Sequence, residues 1–140
     1  MTTKIEGLTI EYDLRKNDGP NMVFMSGDHC PIEAWEKIVE EVGELGTVLT
    51  YNRPGIGKSS KATTIQDGQQ VISTLRKLIN KLDLNGPIIL IAHSSGGLYA
   101  NLYARLFPNE VNAVVFIESA HPEQMIRFEG HFALLARFAM

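Results

Sequence analysis

Residues 88–97 of this chain read Ile-Ile-Leu-Ile-Ala-His-Ser-Ser-Gly-Gly, an apolar run that passes within a few residues into two glycines. Such a run fits a strand covered on both faces, as in a parallel sheet. Ala92, Gly96 and Gly97 are small enough to let the strand and a following helix approach closely, so the turn between them is tight and strained. The pattern is small-x-Ser-x-Gly, with alanine in the first place. A turn of this kind holds the Ser94 hydroxyl above the carboxyl edge of the sheet and aims the amides of the helix's first turn at the same point. One stretch of backbone then supplies both a nucleophile and part of an anion cradle.

The rest of the chain alternates strand and helix patterns around this turn. Residues 4–14 alternate apolar and polar (Leu8, Ile10, Tyr12, Leu14) about Gly7 and read as an antiparallel edge hairpin, closed by Asn17-Asp18-Gly19-Pro20. Residues 22–25 form a short buried strand ending in Ser26-Gly27-Asp28. Trp35, Ile38, Val39 and Val42 recur at helical spacing and predict an amphipathic helix over 32–45. A strand over 47–51 follows, then a Pro/Gly loop. Val71, Leu75, Leu78, Ile79 and Leu82 mark a second helix, stopped by Asn85-Gly86-Pro87. A third helix is expected over 95–107, with Pro108 past its end. Residues 111–117 predict one more buried strand, and 124–139 a last, strongly apolar helix.

Strands alternating with helices call for right-handed crossovers and an α/β fold, a mostly parallel sheet with helices on both faces. At 140 residues one domain is expected, spanning 1–140, and no repeat or linker divides it. In such sheets ligands bind at the carboxyl ends of the strands, where residues 26–29, 53–59, Ser94 and Glu118 all fall. The net charge of -3 gives no footprint for nucleic acid or an anionic membrane surface, so a small molecule is the expected ligand. A single cysteine, Cys30, fits a reducing compartment, and the absence of a leader-like apolar segment in 1–7 suggests a cytoplasmic protein. No cluster of His, Cys and carboxylates has ligand spacing, so neither metal nor cofactor is expected.

Four motifs in order cover almost the whole chain. They are Phe24-Met25-Ser26-Gly27-Asp28 with Trp35, then Tyr51-Asn52-Arg53-Pro54-Gly55-Ile56-Gly57-Lys58-Ser59, then Ala92-His93-Ser94-Ser95-Gly96-Gly97, and Val115-Phe116-Ile117-Glu118-Ser119-Ala120-His121-Pro122. Together they resemble the amino-terminal half of an α/β-hydrolase of the serine type. The resemblance implies Ser94 as nucleophile and an oxyanion hole formed by the backbone amides of Ser95 and Asp28. Ser26-Gly27 stands where the family most often has His-Gly. It further implies that 122–140 opens a lid-like region, and that the substrate is an ester, thioester, amide or similar acyl compound.

The family's histidine, and usually its acid, follow later strands that these residues do not contain. A serine without a base in reach is a poor nucleophile, so the chain alone is expected to be at most weakly active. Glu118 lies where some relatives carry their acid; it is either a catalytic carboxylate or a loop anchor. His121 and His131 are candidate bases or surface histidines, and His93 is expected to be structural. A strand over 111–117 with no further neighbour is an open apolar edge, which favours self-association or pairing with a complementing half. Two other readings remain. One is a non-catalytic binding protein or inactive truncated fragment with a hydrolase fold. The other is a nucleotide site at Gly55-Ile56-Gly57-Lys58-Ser59, which Asn52, Pro54 and the poor helix start after Ser59 argue against.

Overall fold

In the computed structural model, which describes residues 1–124, six strands form one sheet in the order β1-β2-β4-β3-β5-β6. The hairpin is present as β1 (Thr2–Ile5) and β2 (Leu8–Arg15), paired antiparallel across Glu6 and Gly7. Strands β3 (Asn21–Met25), β4 (Thr47–Tyr51), β5 (Ile88–His93) and β6 (Val111–Ile117) are parallel to one another, and β2 joins them antiparallel through β4. The apolar run that begins at Ile88 therefore occupies a strand flanked on both sides, by β3 and β6. This accounts for its lack of a polar face.

Helices cover both faces. On one, α2 (Gly68–Lys81) and α3 (Gly96–Leu106) pack over a core that includes Ile10, Val23, Leu49, Leu75, Leu78, Leu90 and Tyr103. Asp67 caps α2 by accepting a hydrogen bond from the Gln70 amide at 2.8 Å. Its buried Val71, Ile72, Leu75, Leu78 and Ile79 recur every three or four residues, the stripe that one helical face requires. Arg76 on α2 grips Glu110 through Nε and Nη2, and the Tyr103 hydroxyl donates to the same carboxylate, tying α2 to the end of α3. The Arg76 hydrogen bonds hold the Glu110 carboxyl below the usual carboxylate range.

The opposite face is covered more thinly, and here the helix expected over 32–45 is shorter. A 3₁₀ turn, Ile32–Trp35, leads into α1 (Glu36–Val42). Gly43 closes α1 by donating its amide to the Val39 carbonyl. Two turns of helix suffice to bury Trp35 and Val39 against Met22, Phe24, Val48 and Ile91, and they leave Ile38 exposed. The apolar spacing was right about Trp35, Val39 and the half-buried Val42, wrong about Ile38, and too generous about the length.

The expectation of a buried last strand needs a larger correction. β6 pairs with β5 alone among the described strands, and Val115 and Phe116, on opposite faces, are 45% and 53% exposed. Its composition suits burial, but neither a further strand nor a second covering helix is present among the described residues. The apolar helix expected over 124–139, with His131 in it, lies outside them from residue 125 onward.

Candidate active site

The turn after β5 has the strain its small residues foretold. Ser94 sits at φ 54°, in the left-handed region that a residue with a β-carbon adopts only when its surroundings hold it there. Those surroundings are specific. The Ser94 amide donates to the Ile117 carbonyl at 3.3 Å, and the Ser94 carbonyl accepts from the Gly97 and Ala120 amides at 3.0 and 2.9 Å. A β-carbon at Gly96 would run into the Met25 carbonyl, and one at Gly97 into the Ser119 side chain. Both glycines are thus what lets α3 begin against the ends of β3 and β6.

The first motif closes on the same point. Gly27 lies against Ser94, where an added β-carbon would stand 2.9 Å from Ser94 Cβ and 3.3 Å from its Oγ. Ser26, in the place of the family's usual histidine, accepts a 2.8 Å hydrogen bond from Trp35 Nε1 in a buried setting, so the loop keeps an internal support. Asp28 follows. Neither its backbone amide nor that of Ser95 donates to an acceptor among the described residues. Partial burial opposes ionisation of the Asp28 carboxyl, but the neighbouring Ser95 hydroxyl and Arg53 guanidinium outweigh it and hold it below the usual range. The Ser95 Oγ itself is buried and has no hydrogen-bond partner in good geometry among the described residues.

None of the other candidates is hydrogen-bonded to Ser94 Oγ among the described residues. The Glu118 side chain is exposed, on a residue at φ 42°, and makes no hydrogen bond among the described residues. The His93 ring meets Trp35 edge-on, with 6.2 Å between centroids, and its Nδ1 would stand 3.4 Å from a β-carbon added at Gly27, a point that lies 3.3 Å from Ser94 Oγ. His121 Nδ1 accepts from the Glu123 amide, a local contact at the surface.

Arg53, which the sequence placed at the sheet's carboxyl edge, gains a defined partner, and Glu11, which the sequence did not single out, gains importance. Arg53, just after β4, reaches over to the Gly27 carbonyl and the Asp28 carboxylate at 2.8 and 3.0 Å. Glu11, buried on β2, accepts from Asn52 Nδ2 at 2.9 Å and from the Lys58 amide at 2.6 Å. A cavity of about 360 Å³, lined by Asp28, His29, Arg53, Gln66 and Tyr99 among others, opens beside this loop; Ser94 does not line it. The loop that resembled a phosphate site is stitched to β2 instead. Ser59 Oγ donates to the Asn52 carbonyl and accepts from the Glu11 amide, and no helix begins between Ser59 and Gly68.

A parallel sheet with a strained serine just after the third of its four parallel strands, facing a glycine loop from a neighbouring strand, defines the α/β class of hydrolase-type folds. The chain belongs to the alpha/beta hydrolase fold family, whose sequence model matches residues 31–135. It is similar to Methylesterase 1 of Arabidopsis thaliana, 28% identical over 106 residues that make up 74% of this chain and 40% of that protein. The uncharacterized protein YqjL of Bacillus subtilis (strain 168) is 26% identical over 120 residues, 85% of this chain and 47% of that protein. Among solved structures, Cfl2 from Burkholderia cenocepacia superposes with a TM-score of 0.81 at 21% identity, covering 86% of this chain and 41% of that one. Est816, described as an N-acyl homoserine lactone degrading enzyme, gives 0.78 at 18% identity, covering 94% and 53%. The chain thus spans about half the length of these relatives, or less. Among the described residues no helix is long and apolar enough to cross a membrane.

Proposed function

We propose that this chain carries the nucleophile and oxyanion hole of a serine hydrolase acting on an ester, thioester or amide. The observation that carries the reading is the conjunction at Ser94: a hydroxyl on a residue held at φ 54°, next to Gly27, with the amides of Asp28 and Ser95 left without acceptors among the described residues. In the reaction, Ser94 Oγ attacks the substrate carbonyl and its proton passes to a base. The carbonyl oxygen gains negative charge and is held by the two amides. The leaving group then takes a proton and departs, and water releases the acyl group from the serine by the same steps. The methylesterase relatives favour an ester.

No described histidine is hydrogen-bonded to Ser94 Oγ, so the base is to come from beyond the described residues or from a partner, with Glu118 kept as a candidate acid. The exposed edge of β6 supports such pairing, with a second copy or a complementing half. The non-catalytic reading rests on the same observation, that no described histidine meets Ser94. Treatment of the 140-residue chain with a fluorophosphonate probe separates the two. Labelling that is slow, reaches one equivalent and vanishes in Ser94→Ala is the expected result. An unlabelled chain, or labelling that survives in Ser94→Ala, refutes the nucleophile.

A further inference from the structure

We propose that Arg53 is a positioning residue for the peptide unit between Gly27 and Asp28, an inference that rests on the hydrolase reading above. Its Nη2 donates to the Gly27 carbonyl oxygen at 2.8 Å and to Asp28 Oδ1 at 3.0 Å. The side chain is only 11% exposed, and its guanidinium carbon lies 4.9 Å from the centre of the Tyr99 ring, which limits its freedom. The Gly27 carbonyl and the Asp28 amide belong to a single planar trans peptide unit, so they point in opposite directions. Fixing the oxygen therefore aims the hydrogen.

Two further consequences follow from charge. A cation bonded to the carbonyl polarises the peptide and makes its N–H a better donor to a developing oxyanion. The Asp28 carboxylate, 67% exposed, contributes little through its own ion pair, which leaves the carbonyl contact as the part that matters. The orientation of the guanidinium agrees with this ranking. It satisfies Gly27 while its own Nε, buried, stays unbonded among the described residues.

The test compares the wild-type chain with Arg53→Gln, Arg53→Met and Arg53→Lys by two readouts. One is the NMR order parameter of the Asp28 amide, and the other is the rate of fluorophosphonate labelling at Ser94. In Arg53→Gln and Arg53→Met the order parameter is expected to fall from the rigid range, about 0.85, toward the flexible range below about 0.6. Labelling is expected to slow by about 10-fold to 100-fold, with Arg53→Lys regaining much of the rate because a cation remains in reach. A rigid, unshifted Asp28 amide in folded Arg53→Gln overturns the proposal, as does an unchanged labelling rate. If Arg53→Met fails to fold, the other two variants decide. A wild-type chain that does not label defeats the hydrolase reading, while the Asp28 order parameter still settles the role of Arg53.

Discussion

Gly96→Ala is expected to destabilise the chain by about 3–5 kcal/mol, a large part of the stability of an ordinary domain. The added carbon would collide with the Met25 carbonyl oxygen and stand 2.8 Å from Met25 C and 2.9 Å from Ser26 O, all of them backbone. Met25 pairs with Ala92 in the middle of the sheet, so β3 cannot yield without breaking its ladder to β5. Helix α3 must lift instead, and with it the contacts of Ala100 and Tyr103 in the main core. Gly97→Ala provides the control. There the obstruction is chiefly the Ser119 side chain, which can move after giving up its 3.0 Å hydrogen bond to the Ala92 carbonyl. A loss of about 1–2 kcal/mol is expected for it. Urea unfolding followed by the fluorescence of Trp35, the chain's one tryptophan, measures both; equal midpoints for the two variants would contradict the account of how α3 is seated.

The second large effect is expected at Glu11. Replacing it by alanine leaves Asn52 Nδ2 and the Lys58 amide without their acceptor in a buried place, at a cost of about 3 kcal/mol. Lys58→Ala is expected to change stability by less than about 0.5 kcal/mol, because its ammonium is 82% exposed and 3.6 Å from the carboxylate, and its backbone amide survives the change. Acid should reproduce part of the Glu11 loss. Burial opposes ionisation of this carboxyl, yet the Lys58 amide, Asn52 and the Lys58 charge outweigh it and lower its pKa from 4.5. A carboxyl depressed in the folded state stabilises the fold above its unfolded value, and that contribution is lost as pH falls through the folded value. The gap between the unfolding midpoints of wild type and Glu11→Gln should therefore be full at neutral pH and close as pH falls from 4.5 through the lower folded value. A constant gap across that range would show that the ionised form is not what the network holds.

Glu11 also shows why part of this molecule was hidden in its sequence. Between Ile10 and Tyr12 it reads as the outward, solvated position of an alternating strand. The loop over residues 52–60 then folds back across β2, and the outward position becomes a buried one. Only a contact between segments some forty residues apart reveals that. Arg53 was concealed in the same way, since its target is a carbonyl oxygen that has no letter in the sequence. What could be read was set locally. The apolar period of 71–79 placed α2, the unbroken run before Ser94 placed a central strand, and the glycines after it foretold the strained turn. The error over β6 has the opposite origin: its side chains are those of a covered strand, and composition reports what a strand suits rather than what lies against it.

The left-handed bend at residue 94 carries one last implication. A serine there is held about 1 kcal/mol or more above its relaxed state, whereas glycine adopts the same angles freely. Ser94→Gly should accordingly melt at a higher temperature than the natural chain while losing all reactivity toward the probe. One strained residue would then be retained for its oxygen, and the fold would grow sturdier by surrendering it.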